Sequence, residues 1–110
     1  MREKIEKTLK LFIEDFLTNY PFSFNNEDVR KEIKEGIDNI CEIFLQGGLI
    51  YEYRNVCDET NNHKYVIDLQ MGVSDTYIRY EKDGEVFVYN TTILKKGCLN
   101  IDVLEPTFTN

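Results

Sequence analysis

Histidine is almost missing from this chain. His63 is the sole imidazole, and it sits among Asn61, Asn62 and Lys64, where an isolated residue of this type reads as a loop residue rather than a general base or metal ligand. Cysteine is scarce and odd in number. Cys41, Cys57 and Cys98 are far apart, which excludes a disulfide framework and a zinc spacing and leaves reduced, mostly buried thiols of a cytosolic protein. Basic residues are outnumbered, 13 Lys and Arg against 20 Asp and Glu, for a net charge of −7. A chain without a basic face is unsuited to nucleic acid as its main partner, and the acidity favours solubility or docking on a basic protein surface. No apolar run approaches the roughly 20 residues of a membrane span. Arg2, Glu3, Lys4, Glu6 and Lys7 interrupt the start, so no signal-peptide core is present either.

A phosphate-cradling glycine loop is also lacking. The single glycine pair, Gly47-Gly48, precedes a strand-like run, which is the wrong order for holding an anion at a helix start. Asp58 and Glu59 read as solvated loop acids rather than metal ligands. Tyr51 and Tyr53 read as core packing rather than base-stacking aromatics, because the acidic balance opposes nucleic acid. No catalytic, cofactor-binding or metal-binding constellation follows, and the chain reads as a non-enzyme.

What is present is enough for one domain with a modest core: 110 residues, 42% of them hydrophobic, with seven Tyr and seven Phe. Ile5, Leu9, Phe12, Ile13, Phe16, Leu17 and Tyr20 recur at steps of three and four, which predicts a helix of roughly four turns. Pro21 ends it. The connection over 21–25 is short, as between antiparallel neighbours, and Phe22 and Phe24 are expected to tuck beneath the helices. Asn25 or Asn26 caps a second helix, with Glu27 and Asp28 in its first turn. Val29, Ile33, Ile37, Ile40, Cys41, Phe44 and Leu45 form its buried face, and it runs to about Gln46. Gly36 inside it costs about 1 kcal/mol relative to Ala, which a close helix approach would explain.

The stretch Gly47–Asn62, GGLIYEYRNVCDETNN, joins a helical half to a β half. The glycine pair stops the helix. From Leu49 the side chains alternate, Leu49, Tyr51 and Tyr53 against Ile50, Glu52 and Arg54, as in a half-buried strand. Asp58 to Asn62 supply the loop that ends it. Tyr65–Asp68 is a short apolar piece and Met71–Tyr80 a long strand. Asp83-Gly84 is a two-residue hairpin signal with positive φ expected at both positions. Val86–Ile93 is the next strand, with Phe87, Tyr89, Thr91 and Ile93 on one face. Beyond a turn at Lys95, Lys96 and Gly97, the alternation of Leu99, Ile101 and Val103 with Asn100 and Asp102 marks a fourth strand or an arm, stopped by Pro106. The fold class is α+β: two antiparallel helices followed by a mainly antiparallel three- to four-stranded sheet packed against them.

The Gly47–Asn62 run resembles the start of the C-terminal domain of tail sheath proteins from contractile-tailed bacteriophages. Phe22, Asn25, Glu27 and Arg30 are similar to the family motif that opens the long helix before the glycine pair, while Asn26 and Val29 depart from it. Ile67-Asp68 and Tyr77-Ile78-Arg79 stand where the family has Ile-Asp and a Tyr-Ile-basic run, without the family's following proline. The resemblance covers roughly residues 5–94, is densest over 22–62 and fades after 80. It implies a structural protein of a contractile phage tail or related injection machine, assembled in the bacterial host cytoplasm into the virion tail. Arms from neighbouring subunits would complete its sheet, since open edges invite another chain. The implied partners are copies of itself or sheath subunits, with the tail tube or baseplate protein as further candidates, and neither nucleic acid nor membrane. Leu99, Ile101, Val103, Tyr53 and Arg54 are the candidate assembly-interface residues. Whether 97–110 is an exchange arm or an internal edge strand with a frayed tail stays open. The short start before the first helix suggests the assembly domain alone, such as an initiator or terminal-ring protein, a gene remnant or an excised domain. The alternative from another class is a small acidic cytoplasmic binding module recognising a basic protein.

Overall fold

The computed structural model describes residues 2–20, 25–69 and 71–93 and the backbone of 99–103. Its elements run α1 (Arg2–Thr18), α2 (Glu27–Gln46), β1 (Glu52–Val56), α3 (Lys64–Asp68), β2 (Gly72–Arg79), β3 (Val86–Ile93) and β4 (Leu99–Val103). The four strands form one antiparallel meander in the order β1-β2-β3-β4. The two helices pack on each other and on one face of the sheet, α2 along β1 and α1 along β4. The architecture is the expected α+β arrangement.

Both helices form for the reasons their periodicity gives. Leu9, Ile13 and Leu17 of α1 and Ile33, Ile37, Cys41 and Phe44 of α2 are buried in one cluster, with Ile5, Phe16, Tyr20, Val29, Ile40 and Leu45 packed around it. Phe12 departs from its expected place on the buried stripe. It is 46% exposed, with its ring edge-on to Phe44 at 5.6 Å between centroids. Of the two cap candidates, Asn26 holds the position, its Oδ1 accepting from the Val29 N–H at 2.9 Å. At the other end Gly48 takes φ 73°. The Gly48 N–H donates to Leu45 O and the Leu49 N–H to Phe44 O at 2.9 Å, the paired bonds of a Schellman ending. Gly36 has its reason in Phe16: a Cβ at 36 would stand 2.0 Å from Phe16 Cζ. Phe22 and Phe24 lie outside the described residues.

Two sequence expectations need correction, at the start of β1 and between β2 and β3. Leu49 remains part of the helix cap, so the strand begins at Glu52 rather than at Leu49. Leu49 and Tyr51 are exposed and Ile50 is buried, the reverse of the expected faces. Strand alternation holds only where the chain pairs in the ladder, which is from Glu52 onward. The Tyr65–Asp68 piece is a helical turn, α3, anchored by buried Val66. The link between β2 and β3 is not a two-residue turn. Register pairing stops at Arg79↔Val86, and six residues intervene. Gly84 does not take positive φ. The loop is closed by the Gly84 N–H on Glu81 O and by the Arg79 guanidinium donating to Gly84 O.

The helix-facing side of the sheet follows from the register. Tyr53, Ile78 and Phe87 form one row, Asn55, Thr76 and Tyr89 the next, and Ser74 and Thr91 the third. Phe87, Tyr89, Thr91 and Ile93 thus share a face as expected. Several of these positions are polar and fully enclosed: Asn55, Ser74, Thr76 and Thr91 are each at most 3% exposed. Asn55 Oδ1, Ser74 Oγ and Thr76 Oγ1 have no protein partner, a condition that costs about 1–3 kcal/mol per atom when nothing satisfies it.

Candidate assembly surface

Two parts of the described molecule stand out: a polar lock that joins the sheet to the start of α2, and the sheet's edge strands. The lock begins at Asn25, just ahead of α2. Its Nδ2 donates to Asn62 Oδ1 at 2.9 Å and to Met71 O at 2.7 Å, while its Oδ1 accepts from Arg30 at 2.6 Å. Asn62, 2% exposed, also donates to Asp58 O and Val73 O and accepts from the Val73 N–H. Asn61 extends the network, donating to Val56 O and Asp75, and Asp75 accepts from Asn90 on β3. The start of α2, the Asp58–Asn62 loop, the first half of β2, the end of β1 and the second half of β3 are thereby one hydrogen-bonded unit. These are the polar positions of the two sequence runs singled out above. Their joint role could not be read from sequence, because Asn25 and Asn62 are 37 positions apart; the signal was asparagine recurring at both loop entries.

The Asp58 loop is tightened locally. Thr60 donates to Asp58 through both its N–H and its hydroxyl, which holds the Asp58 carboxyl below the usual carboxylate range. His63 stacks on Tyr65, and Tyr65 on α3 and Leu69 at its C-cap are exposed.

Among the described residues the edges are β1 and β4, each pairing with one neighbour in the sheet. Tyr53 and Arg54 lie on β1. The Tyr53 hydroxyl donates to Glu42 on α2 at 3.1 Å, and burial, followed by this carboxylate contact, pushes its pKa up to about 12. Arg54 lies on the opposite face with its guanidinium 4.4 Å from the Tyr77 ring centroid. Glu52 pairs with Arg79 beside it. Leu99, Ile101 and Val103 fall on β4, at register with Ile93, Thr91 and Tyr89 of the same chain; their side chains lie outside the described residues. The five candidate interface residues therefore occupy two opposite edges, separated by three strand spacings, about 14 Å. They do not form one patch.

No cluster of His, Cys, Asp or Glu among the described residues is arranged to hold a metal, and no described helix is long and apolar enough to cross a membrane. Burial pushes the Cys41 thiol up to about 11 and Cys57 up to about 12, away from the thiolate a nucleophile needs.

The chain is 36% identical over 82 residues to the tail sheath protein of Vibrio phage KVP40, a match covering 74% of this chain and 12% of that protein. It is related to a phage tail sheath protein. The chain spans about an eighth of that relative's length. No family model matches it, and no solved structure matches it significantly.

Proposed function

We propose that this chain is a non-enzymatic structural component of a contractile phage tail or related injection machine, a sheath-like subunit that assembles by strand exchange. The observation that carries the reading is its relationship to the tail sheath protein of Vibrio phage KVP40. The architecture is compatible: among the described strands β1 is terminal in the sheet, the position at which a further strand can be added. Tyr53 and Arg54 flank the acceptor edge and Leu99, Ile101 and Val103 form the donor segment. Its partners are copies of itself or sheath subunits, with tail tube or baseplate protein next in line, and its place is the virion tail after assembly in the host cytoplasm. An initiator or terminal ring is the position we propose for it. C-terminal sheath domains are the part of the family it stands for.

The net charge of −7 favours one competing reading, an acidic module that docks on a basic protein. Mixing the chain with sheath subunits and following particle size and electron micrographs separates the two. Incorporation into rings or tubes is expected, and deletion of residues 97–110 should abolish it. Hydrogen exchange should slow across Glu52–Val56 on assembly, because the free edge gains a partner. A chain that stays monomeric beside sheath subunits, yet binds a basic protein in a salt-sensitive manner, would overturn the sheath reading.

A further inference from the structure

We infer that the seam between α2 and the sheet binds ordered water, held by Asn55 Oδ1, Ser74 Oγ and Thr76 Oγ1. All three oxygens are more than nine-tenths buried and unpartnered by protein. They are also neighbours. Asn55 and Thr76 are directly opposite in the β1–β2 ladder, where facing Cβ atoms stand about 5 Å apart. Ser74 is two residues along β2 on the same face. Three orphaned oxygens at one place are unusual, because native structures satisfy most buried polar atoms with protein or with internal water.

The orientation of Asn55 is fixed by its surroundings. Its Nδ2 donates to Asp38 Oδ1 at 2.7 Å and faces Cys41 Sγ at 3.8 Å. A flipped amide would set oxygen against a carboxylate, so Oδ1 is the atom left without a protein partner. The ligand is neutral. The carboxylate bonded to this network is Asp38, and its oxygens already have partners, Oδ1 in Asn55 and Oδ2 in Lys34 at 2.8 Å. The Lys34 ion pair offsets the charge that would draw a cation in. Two hydroxyls that donate or accept, and one amide oxygen that accepts, match a water that makes about three hydrogen bonds, the usual number for internal solvent.

Two measurements test this. A crystal structure of the full chain, fine enough to place solvent, should show density within about 3.2 Å of at least two of the three oxygens. A dry seam, or hydroxyls turned onto strand carbonyls, would overturn the proposal. Thr76→Val supplies an independent sign. If the hydroxyl holds water, the change removes one of the ligands and lowers the Tm by several degrees. If the hydroxyl is merely orphaned, replacing it by a methyl group leaves the Tm unchanged or raises it, and the water site is refuted. Should Thr76→Val fold too poorly to measure, Ser74→Ala gives the same test with a smaller steric change.

Discussion

At Gly36 two magnitudes oppose each other. Alanine is the better helix former by about 1 kcal/mol, yet its Cβ would lie 2.0 Å from the Phe16 ring. Overpacking of a core contact costs about 1–3 kcal/mol, and the ring cannot withdraw far while Tyr20 lies tilted against it. Gly36→Ala should therefore destabilise the protein by about 1–2 kcal/mol in a denaturant titration; a stabilised variant would show that the helices readily part. Phe44 is the other decisive single residue. It is 4% exposed, accepts the Leu49 N–H through its carbonyl and carries the Phe12 ring. Phe44→Ala removes side-chain volume but not that backbone bond, so about 3–5 kcal/mol should be lost, with the helix end intact by amide exchange.

Elements were legible where one period persisted over many residues. The 3.6 spacing of Leu9, Ile13 and Leu17, and of Ile33, Ile37 and Phe44, placed both helices and their inner faces. The strand-like runs Met71–Tyr80 and Val86–Ile93 placed β2 and β3. What sequence could not supply was the reach of a cap or a turn. Leu49 looked like strand because a Schellman ending leaves no periodic trace, and Asp83-Gly84 looked like a two-residue turn because the closing role of Arg79 is a tertiary contact. The Asn25–Asn62 lock was illegible for the same reason. It predicts a clear loss for Asn62→Ala, which would strip partners from Asn25 Nδ2, from the Val73 N–H and from two carbonyls. About 3 kcal/mol is expected, accompanied by faster amide exchange at Val73 and at the start of α2. Normal exchange at Val73 would mean that solvent replaces the lock without penalty.

For the whole molecule, the buried hydroxyls and thiols set a pH window. Cys41 and Cys57 rise from 9 to about 11 and 12, and Tyr20, Tyr53 and Tyr80 from 10 to about 12, in each case first by burial. Tyr89, bonded to the Tyr80 hydroxyl, is driven well above its ordinary value. A folded-state pKa raised above the unfolded one contributes stability that is complete below the unfolded value. That stability is lost as pH climbs through the folded value. These groups should leave stability flat up to about pH 9, then erode it steadily between 9 and 12. Urea midpoints measured across that range, with the tyrosinate absorbance recorded alongside, check the sign; stability that holds to pH 12 would place these side chains in water.

The meander order has a consequence for concentration. β4 follows β3 after residues 94–98, and a tether that short holds the strand at a millimolar effective concentration beside its own partner. Another copy's β4 must outcompete that tether, so dilute protein keeps the strand at home. Hydrogen exchange at Leu99–Val103 should accordingly be the same from micromolar to hundreds of micromolar protein. If the proposed strand exchange operates, trading between copies would become favourable only where neighbours are already crowded to comparable local density. A strand tethered in this way would keep free subunits from linking prematurely, and whatever gathers them would set the timing of exchange.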